Sequence, residues 1–506
     1  MTEPLTVEKP AAPVRKRLWP WVVLPIVILA VVLYAMAARS HAPSWEWAGE
    51  PAPPGSPVTA AGRVIEIGPS TFEAGITKAQ PGDTLLLADG EYSGGVADPP
   101  RPGIDSTSPI VISKTITVKC SGSKSKPITL KAKGVGAVFT SGLTLDGVKW
   151  FVIDGLIFRN SAERGLTAIS CENLTIRNCS IDGTQTARAL HVETARRVVI
   201  EGNEVFGTPK GSGICLLGEC SDCVIRCNRV HDVWGCGILL DRGAHQGKWL
   251  SNCLVERNII ARSCATGGAA INCSAILYST FRSNLVYRCN GCGIGFSRAW
   301  WTEGAPANAL VRMAYSLIKP RSPESSRNII IGNTVFFEPG KGRNALNIVD
   351  KCRNFYVQNN IFYGGLGGAV FVSDDSMSGL DIDHNVILTY SGQTLLGDKY
   401  PADRGADQAA LGDQYYTGST ITTVFTVDQW HAKGFDLHSK FEVDPLFVSV
   451  EKDDYRLSPN SPAIDLGKDL GSICPVDIEG VKRPQGKGFD CGAYEYTPAP
   501  NESVTK

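Results

Sequence analysis

The chain has 506 residues, enough for several domains unless a repeat makes it one solenoid. Lysine plus arginine and aspartate plus glutamate stand at 50 each, so no net field draws it to nucleic acid or to an anionic surface. With 43% hydrophobic and only 20% charged residues, it is not a disordered chain.

At the N-terminus a basic tail, residues 1–17, ends in Arg15-Lys16-Arg17 and abuts an uncharged apolar run over 18–38. That run is long enough to span a bilayer, and the positive charge before it keeps the tail cytoplasmic and sends the rest across. Ala35-Met36-Ala37 also offers a small-x-small cleavage site, so the segment reads as a transmembrane anchor or as a signal peptide. Either reading puts the bulk of the chain outside the cytoplasm, membrane-held or secreted. Residues 39–62, with Pro43, Pro51, Pro53, Pro54 and Pro57, read as a stiff linker. Residues 63–103 read as a cap: a helix start at Ser70-Thr71-Phe72-Glu73, a turn at Gln80-Pro81-Gly82-Asp83 and a strand from Thr84.

Over 104–390 a short motif recurs: apolar, polar, small or polar, usually Asn, any residue, apolar. Its Asn slot falls at 203, 228, 258, 284, 333, 360 and 385, with Leu156 and Cys179 in two earlier copies. The steps are 23, 24, 25, 30, 26, 49, 27 and 25, the length of one solenoid turn built from short strands. Asn suits the bend because it tolerates left-handed backbone angles and its amide can bond the Asn one coil away. The step of 49 hides either a degenerate coil or an excursion at 297–327. Two residues before the slot stand Asp154, Arg177, Glu201, Arg226, Glu256 and Arg282, an alternating charge column expected on the solvent face. The fold class expected is all-β: a single-stranded parallel β-helix with a helical N-terminal cap and a C-terminal cap module.

A second strand precedes each slot, as in Ala189-Leu190-His191-Val192 and Gly293-Ile294-Gly295-Phe296. Most of the 13 cysteines between 171 and 352 fit repeat positions and read as small core residues. That includes Cys220/Cys223 and Cys289/Cys292, whose spacing is that of half zinc sites. Cys474 and Cys491 lie outside the repeat and are candidates for a disulfide. Residues 391–440 read as an excursion, 441–496 as the C-terminal module and 497–506 as a tail.

Two stretches carry a family likeness. Ala79-Gln80-Pro81-Gly82-Asp83-Thr84 through Asp89-Gly90-Glu91-Tyr92 resembles the opening of pectin-lyase-like right-handed β-helix proteins. Asp444-Pro445-Leu446-Phe447, Ser461-Pro462-Ala463-Ile464-Asp465-Leu466-Gly467 and Asp490-Cys491-Gly492-Ala493-Tyr494-Glu495 resemble the choice-of-anchor Q domain of bacterial β-helix surface proteins. The resemblance implies a right-handed coil, export to the periplasm or cell surface and a carbohydrate-related role. The opening is also similar to chondroitinase B and alginate lyases, which imply a Lys and an Arg on successive coils. Apart from Lys248, no lysine stands at the corresponding strand ends between 190 and 300.

The second strand ends in a charged column: Glu193, Asp241-Arg242, Ser297-Arg298, Asp350-Lys351 and Asp374-Asp375. Asp350, Asp374, Asp375 and Asp241 are the candidate catalytic carboxylates, because carboxylates on neighbouring coils suit glycoside hydrolysis or proton abstraction from a uronate. Arg298, Arg242, Lys351, His245 and His191 are candidate substrate contacts. Trp300 and Trp301 read either as a sugar platform or as packing for their own loop. His231-Asp232 reads as a turn pair rather than a catalytic one. The same charges could simply solvate strand ends, which leaves a glycan- or matrix-binding module as the alternative to a lyase, hydrolase or epimerase. No cofactor motif is present, and no ligand spacing indicates calcium. The expected partner is a polysaccharide, with the membrane reached through the N-terminal helix and the protein a monomer.

Overall fold

The computed structural model describes residues 62–94, 115–388 apart from short breaks at 162–163, 185–187, 244–248, 266, 299–323 and 366–367, and 425–498. The candidate anchor at 18–38, nearly all of the linker, His245, Trp300 and Trp301 lie outside the described residues. Among the described residues no helix is long and apolar enough to cross a membrane.

The described strands sort into three parallel sheets of 14, 10 and 12 strands. Sheet I runs from Val64–Ile67 to Asp381–Asp383, sheet II from Ile116–Val118 to Gly368–Val372, and sheet III from Gly90–Tyr92 to Lys440–Phe441. Each coil gives one strand to each sheet in turn, which defines a parallel β-helix. Strands of the expected cap already pair into sheets I and III, Val64↔Thr84 and Gly90↔Ala137 among them. Helix α1, Phe72–Thr77, buries Phe72 and Ile76 on the end of the core. The step of 49 is an excursion and not a coil, because Phe281 and Ile330 pair directly.

The asparagine slot is a continuous ladder. The backbone N–H and Nδ2 of Asn203 both donate to Asn228 Oδ1, at 3.0 and 2.9 Å, while its Nδ2 also reaches Ile176 O at 3.0 Å. The same pattern links Asn228, Asn258, Asn284, Asn333, Asn360 and Asn385. At its end Asn385 Nδ2 donates to Asp436 Oδ1 at 3.0 Å, and Asn385 N to Ser439 Oγ at 2.8 Å. Asp436 is wholly buried and also accepts from Trp430 Nε1 at 2.9 Å. Trp430 sits on helix α2, Val427–Ala432, whose capping box starts at Thr426. Part of the expected excursion at 391–440 is therefore the lid on the last coil.

The charge column stacks in the expected order, Asp154↔Arg177↔Glu201↔Arg226↔Glu256↔Arg282. It is not, however, a solvent face throughout. The C-terminal segment lies on the wall of the later coils: Arg282 Nη1 donates to Ile473 O at 2.6 Å and Arg257 Nε to Ile478 O at 3.1 Å. Ala261, Tyr287 and Phe336 of sheet III share an apolar cluster with Tyr455, Ile478 and Ala493. The Glu256–Arg282 pair, 2.7 Å apart, is thus buried, with side chains 7% and 4% exposed.

All sixteen cysteines are free thiols, so the expected Cys474–Cys491 disulfide is absent. Cys474 packs with Ile329, Ile331 and Tyr356, whereas Cys491 packs with Ile361, Val386 and Leu457. The two thiols fill separate apolar clusters on the wall. Within the repeat, burial pushes the Cys171 thiol up to about 11 and those of Cys179 and Cys215 up to about 12. All three are inert buried thiols, Cys171 and Cys179 in the core as the repeat implies and Cys215 on the outer side of its strand.

The unequal burial of the column gives a stability test. Glu256→Gln strands a buried guanidinium and should destabilise by about 3–5 kcal/mol. Glu201→Gln, in a half-exposed pair with Arg226, should lose less than about 1 kcal/mol. Urea unfolding of the two variants measures the contrast, and equal losses would contradict the burial.

Candidate functional site

Sheet II carries the candidate residues on its outer face. One outward column in register is Thr144, Thr167, His191, Cys215, Leu239, Asn272, Gly295, Asn347 and Phe371. Although outward on the strand, His191 is wholly buried. Its Nε2 lies 2.9 Å from Glu193 Oε2, and its Nδ1 has no hydrogen-bond partner among the described residues. Burial lowers the affinity of the ring for a proton, and the charges of Arg164 and Arg188 add to this against Glu193. Asn347 Oδ1, on the same column, is also buried without a hydrogen-bond partner among the described residues. Sequence reasoning did not single out Arg164 or Arg188, because Arg164 stands just ahead of its strand, Arg188 opens the next one, and both lie outside the motif.

The charged column lies at the bend after this sheet. Extending the pairs Phe296↔Ile348↔Val372 by two residues sets Arg298, Asp350 and Asp374 on consecutive coils, about 5 Å apart. Asp350 and Lys351 both have left-handed backbones, φ 62° and 65°, the only two consecutive non-glycine residues of this kind among those described. Such residues store strain that the surrounding structure must hold. The Asp350 carboxyl is pushed above its ordinary value by burial and by the charge of Asp375. The Arg298 backbone N–H, which it accepts, and the Arg298 charge oppose that rise.

Asp374 is exposed at the start of a 3-10 turn, Asp374–Ser376, and it is Asp375 whose charge reaches Asp350. Asp375 Oδ1 accepts from Ser373 Oγ at 2.6 Å and from Lys351 N at 3.3 Å. Asp241 Oδ1 accepts from Ser274 Oγ at 2.6 Å, and Arg242 beside it is 2% exposed. The structure therefore gathers Arg298, Asp350, Lys351 and Asp375, and sets His191, Glu193, Arg164 and Arg188 as a second polar group farther along the face. From the strand of His191 to that preceding Asp350 is five coils, about 24 Å.

His231 and Asp232 are on sheet III and not here. His231 Nδ1 lies 2.7 Å from Asp232, which Arg262 clamps through two bonds, and hydrogen bonding to Arg262 holds that carboxyl down at about 2. They form a satisfied surface ion cluster. Among the described residues the group with convergent metal-type donors is Asp383, His384 and His438, at the end of the coil.

The family model for the right handed beta helix region matches residues 141–299. No curated protein matches the chain. Among solved structures, pectate lyase Pel9A aligns with a TM-score of 0.51 at 14% identity, covering 86% of this chain and 97% of its own. An alginate lyase from Paenibacillus sp. str. FPU-7 aligns at 0.40 and 16% identity over 66% of this chain and 97% of its own. PfbA, a surface adhesin of Streptococcus pneumoniae, aligns at 0.38 and 9% identity over 65% and 84%. With the strand order above, the family match and the likeness to Pel9A make the fold a right-handed parallel β-helix.

Because burial raises the Asp350 pKa, its contribution to stability is full below the ordinary carboxylate range and is lost as pH rises through the raised value. Asp350→Asn should therefore gain stability relative to the natural protein between pH 4 and pH 7. Urea midpoints at the two pH values measure this, and a difference independent of pH would count against a desolvated carboxylate.

Proposed function

We propose that this protein binds an acidic polysaccharide along the outer face of sheet II and abstracts a proton from a uronate at the Arg298–Asp350–Asp375 bend. The supporting observation is the strained, desolvated Asp350 with Arg298 on the adjacent coil. A carboxylate whose pKa is raised is a better base, and a guanidinium beside it neutralises the sugar carboxylate whose α-proton is removed. Proton abstraction serves lyase and epimerase chemistry alike. Pel9A, which shares the fold over most of this chain, is a pectate lyase, so a polyuronate is the first substrate class to try. Asp374, Asp241 and Lys351 are proposed to line the sugar path, with the buried Arg242 and His191 supporting it from beneath and His245, Trp300 and Trp301 joining from segments beyond the described residues.

The same proposal includes the topology. Residues 18–38 tether the solenoid outside the cytoplasm, residues 39–62 space it from the bilayer, and 441–496 form a choice-of-anchor Q-like module. A non-catalytic glycan-binding surface is the second reading, favoured by the spread of Arg164, Arg188 and Arg298 along one face.

A polysaccharide panel, followed together for reducing ends and for the absorbance of unsaturated uronates, tests the proposal. On an active substrate, Asp350→Asn and Arg298→Ala should each lose about 100-fold in kcat/KM. Glu204→Gln, on the exposed face of sheet III, should stay near the natural rate. Saturable binding with no turnover on any polyuronate would leave the binding surface instead.

A further inference from the structure

The last coil and its lid meet in a group that the proposed chemistry does not use. Asp383 ends the final strand of sheet I, His384 follows it with a left-handed backbone at φ 54°, and His438 lies between helix α2 and the strand Lys440–Phe441. The asparagine ladder fixes all three. Asn385, next to His384, is its last rung, and Asp436 and Ser439, flanking His438, receive its terminal hydrogen bonds.

The carboxylate is oriented before any ligand arrives. Asp383 Oδ1 accepts two backbone N–H groups, from His384 at 2.8 Å and from His438 at 2.7 Å. That leaves Oδ2 facing both imidazoles. His438 Nδ1 lies 2.6 Å from it and His384 Nδ1 3.4 Å. The second contact is misaligned for a hydrogen bond, so His384 Nδ1 is a buried nitrogen with no hydrogen-bond partner among the described residues. The two rings stack at 5.0 Å with 22° between planes, and the three donor atoms lie within 4.8 Å of one another.

We infer that Asp383, His384 and His438 form a binding site for a divalent transition-metal ion of the zinc class, which staples the C-terminal lid to the last coil. Metal–nitrogen and metal–oxygen bonds of about 2.0–2.2 Å in a tetrahedral site set donors roughly 3.3 Å apart, close to the His384–Asp383 separation. The shorter His438 contact is a hydrogen bond to the carboxylate; on metal binding the neutral ring carries its hydrogen on Nε2 instead and offers the Nδ1 lone pair to the ion. His438, 66% exposed, has room to move back by the few tenths of an ångström required. His384 supplies a ring nitrogen that no hydrogen bond occupies among the described residues, and water completes the fourth position. Hard oxygen-seeking ions such as calcium are disfavoured by two imidazoles in three donors.

The test uses the full-length chain in mild detergent, stripped with chelator and titrated with Zn²⁺ by calorimetry and with Co²⁺ by visible absorption. One equivalent should bind, and the Co²⁺ spectrum should lack thiolate charge-transfer bands despite the sixteen cysteines. His438→Ala, at an exposed position, and His384→Asn, which tolerates the left-handed backbone, should each weaken binding at least about 100-fold, more than loss of an outer-shell partner does. His231→Gln should leave binding unchanged. Circular dichroism of the variants establishes that they fold. The inference is overturned if the natural protein binds no stoichiometric metal, if both variants bind as tightly as it does, or if thiolate bands account for the bound Co²⁺.

Discussion

A parallel coil must turn sharply three times per circuit, and each turn leaves backbone groups that no strand partner can satisfy. The asparagine column meets that requirement for one edge of the wall. Every amide accepts from the coil before it, donates to the coil after it and ties down a carbonyl of the preceding turn. The dipoles therefore all point the same way, and such chains polarise one another. The donor end of the series is Asn385 Nδ2, and the group that receives it is the Asp436 carboxylate. The lid is thus positioned by the electrostatics of the ladder, through Asp436, Trp430 and Ser439, as well as by apolar cover.

The charge column shows structure built on structure. Its ion pairs lock neighbouring coils, and at its far end Arg282 also serves as a donor to the C-terminal segment. That segment has only one two-stranded sheet, Phe447–Ser449 with Asp454–Leu457, and takes most of its order from the wall it covers. Ser283 Oγ to Val476 O and Ala493 N to Thr334 Oγ1 are further seams of this kind. The opposite side of the molecule, the outer face of sheet II, keeps His191, Arg298 and Asp350 in place for a different use.

What the sequence revealed depended on period. The Asn slot and the alternating column recur every coil, so their register could be read from spacing alone, and the column Arg298, Asp350, Asp374 followed from the same register. Contacts without a period were invisible. The covering of Glu256 and Arg282 depends on Ile473, 191 positions beyond Arg282, and nothing local to the column announces it. Cys474 and Cys491 suggested a disulfide because they stand outside the repeat, but the wall they pack on separates them. At the site, Asp375 and not Asp374 acts on Asp350 because the chain enters a 3-10 turn where an extended strand end was assumed. His384 and His438 are 54 positions apart in sequence and meet only because the ladder brings its terminator back.

The alternating column also limits how such a molecule can change length. Solenoids grow and shrink by copying or losing whole coils, and an apolar core accepts either, since one coil resembles the next. Here removing the single coil that bears Arg226 would bring Glu201 against Glu256, and duplicating it would set two guanidiniums face to face. Adding or removing two adjacent coils preserves the alternation. The wall from Asp154 to Arg282 therefore obeys a parity rule: its coil number can drift by twos, and odd steps are confined to its ends.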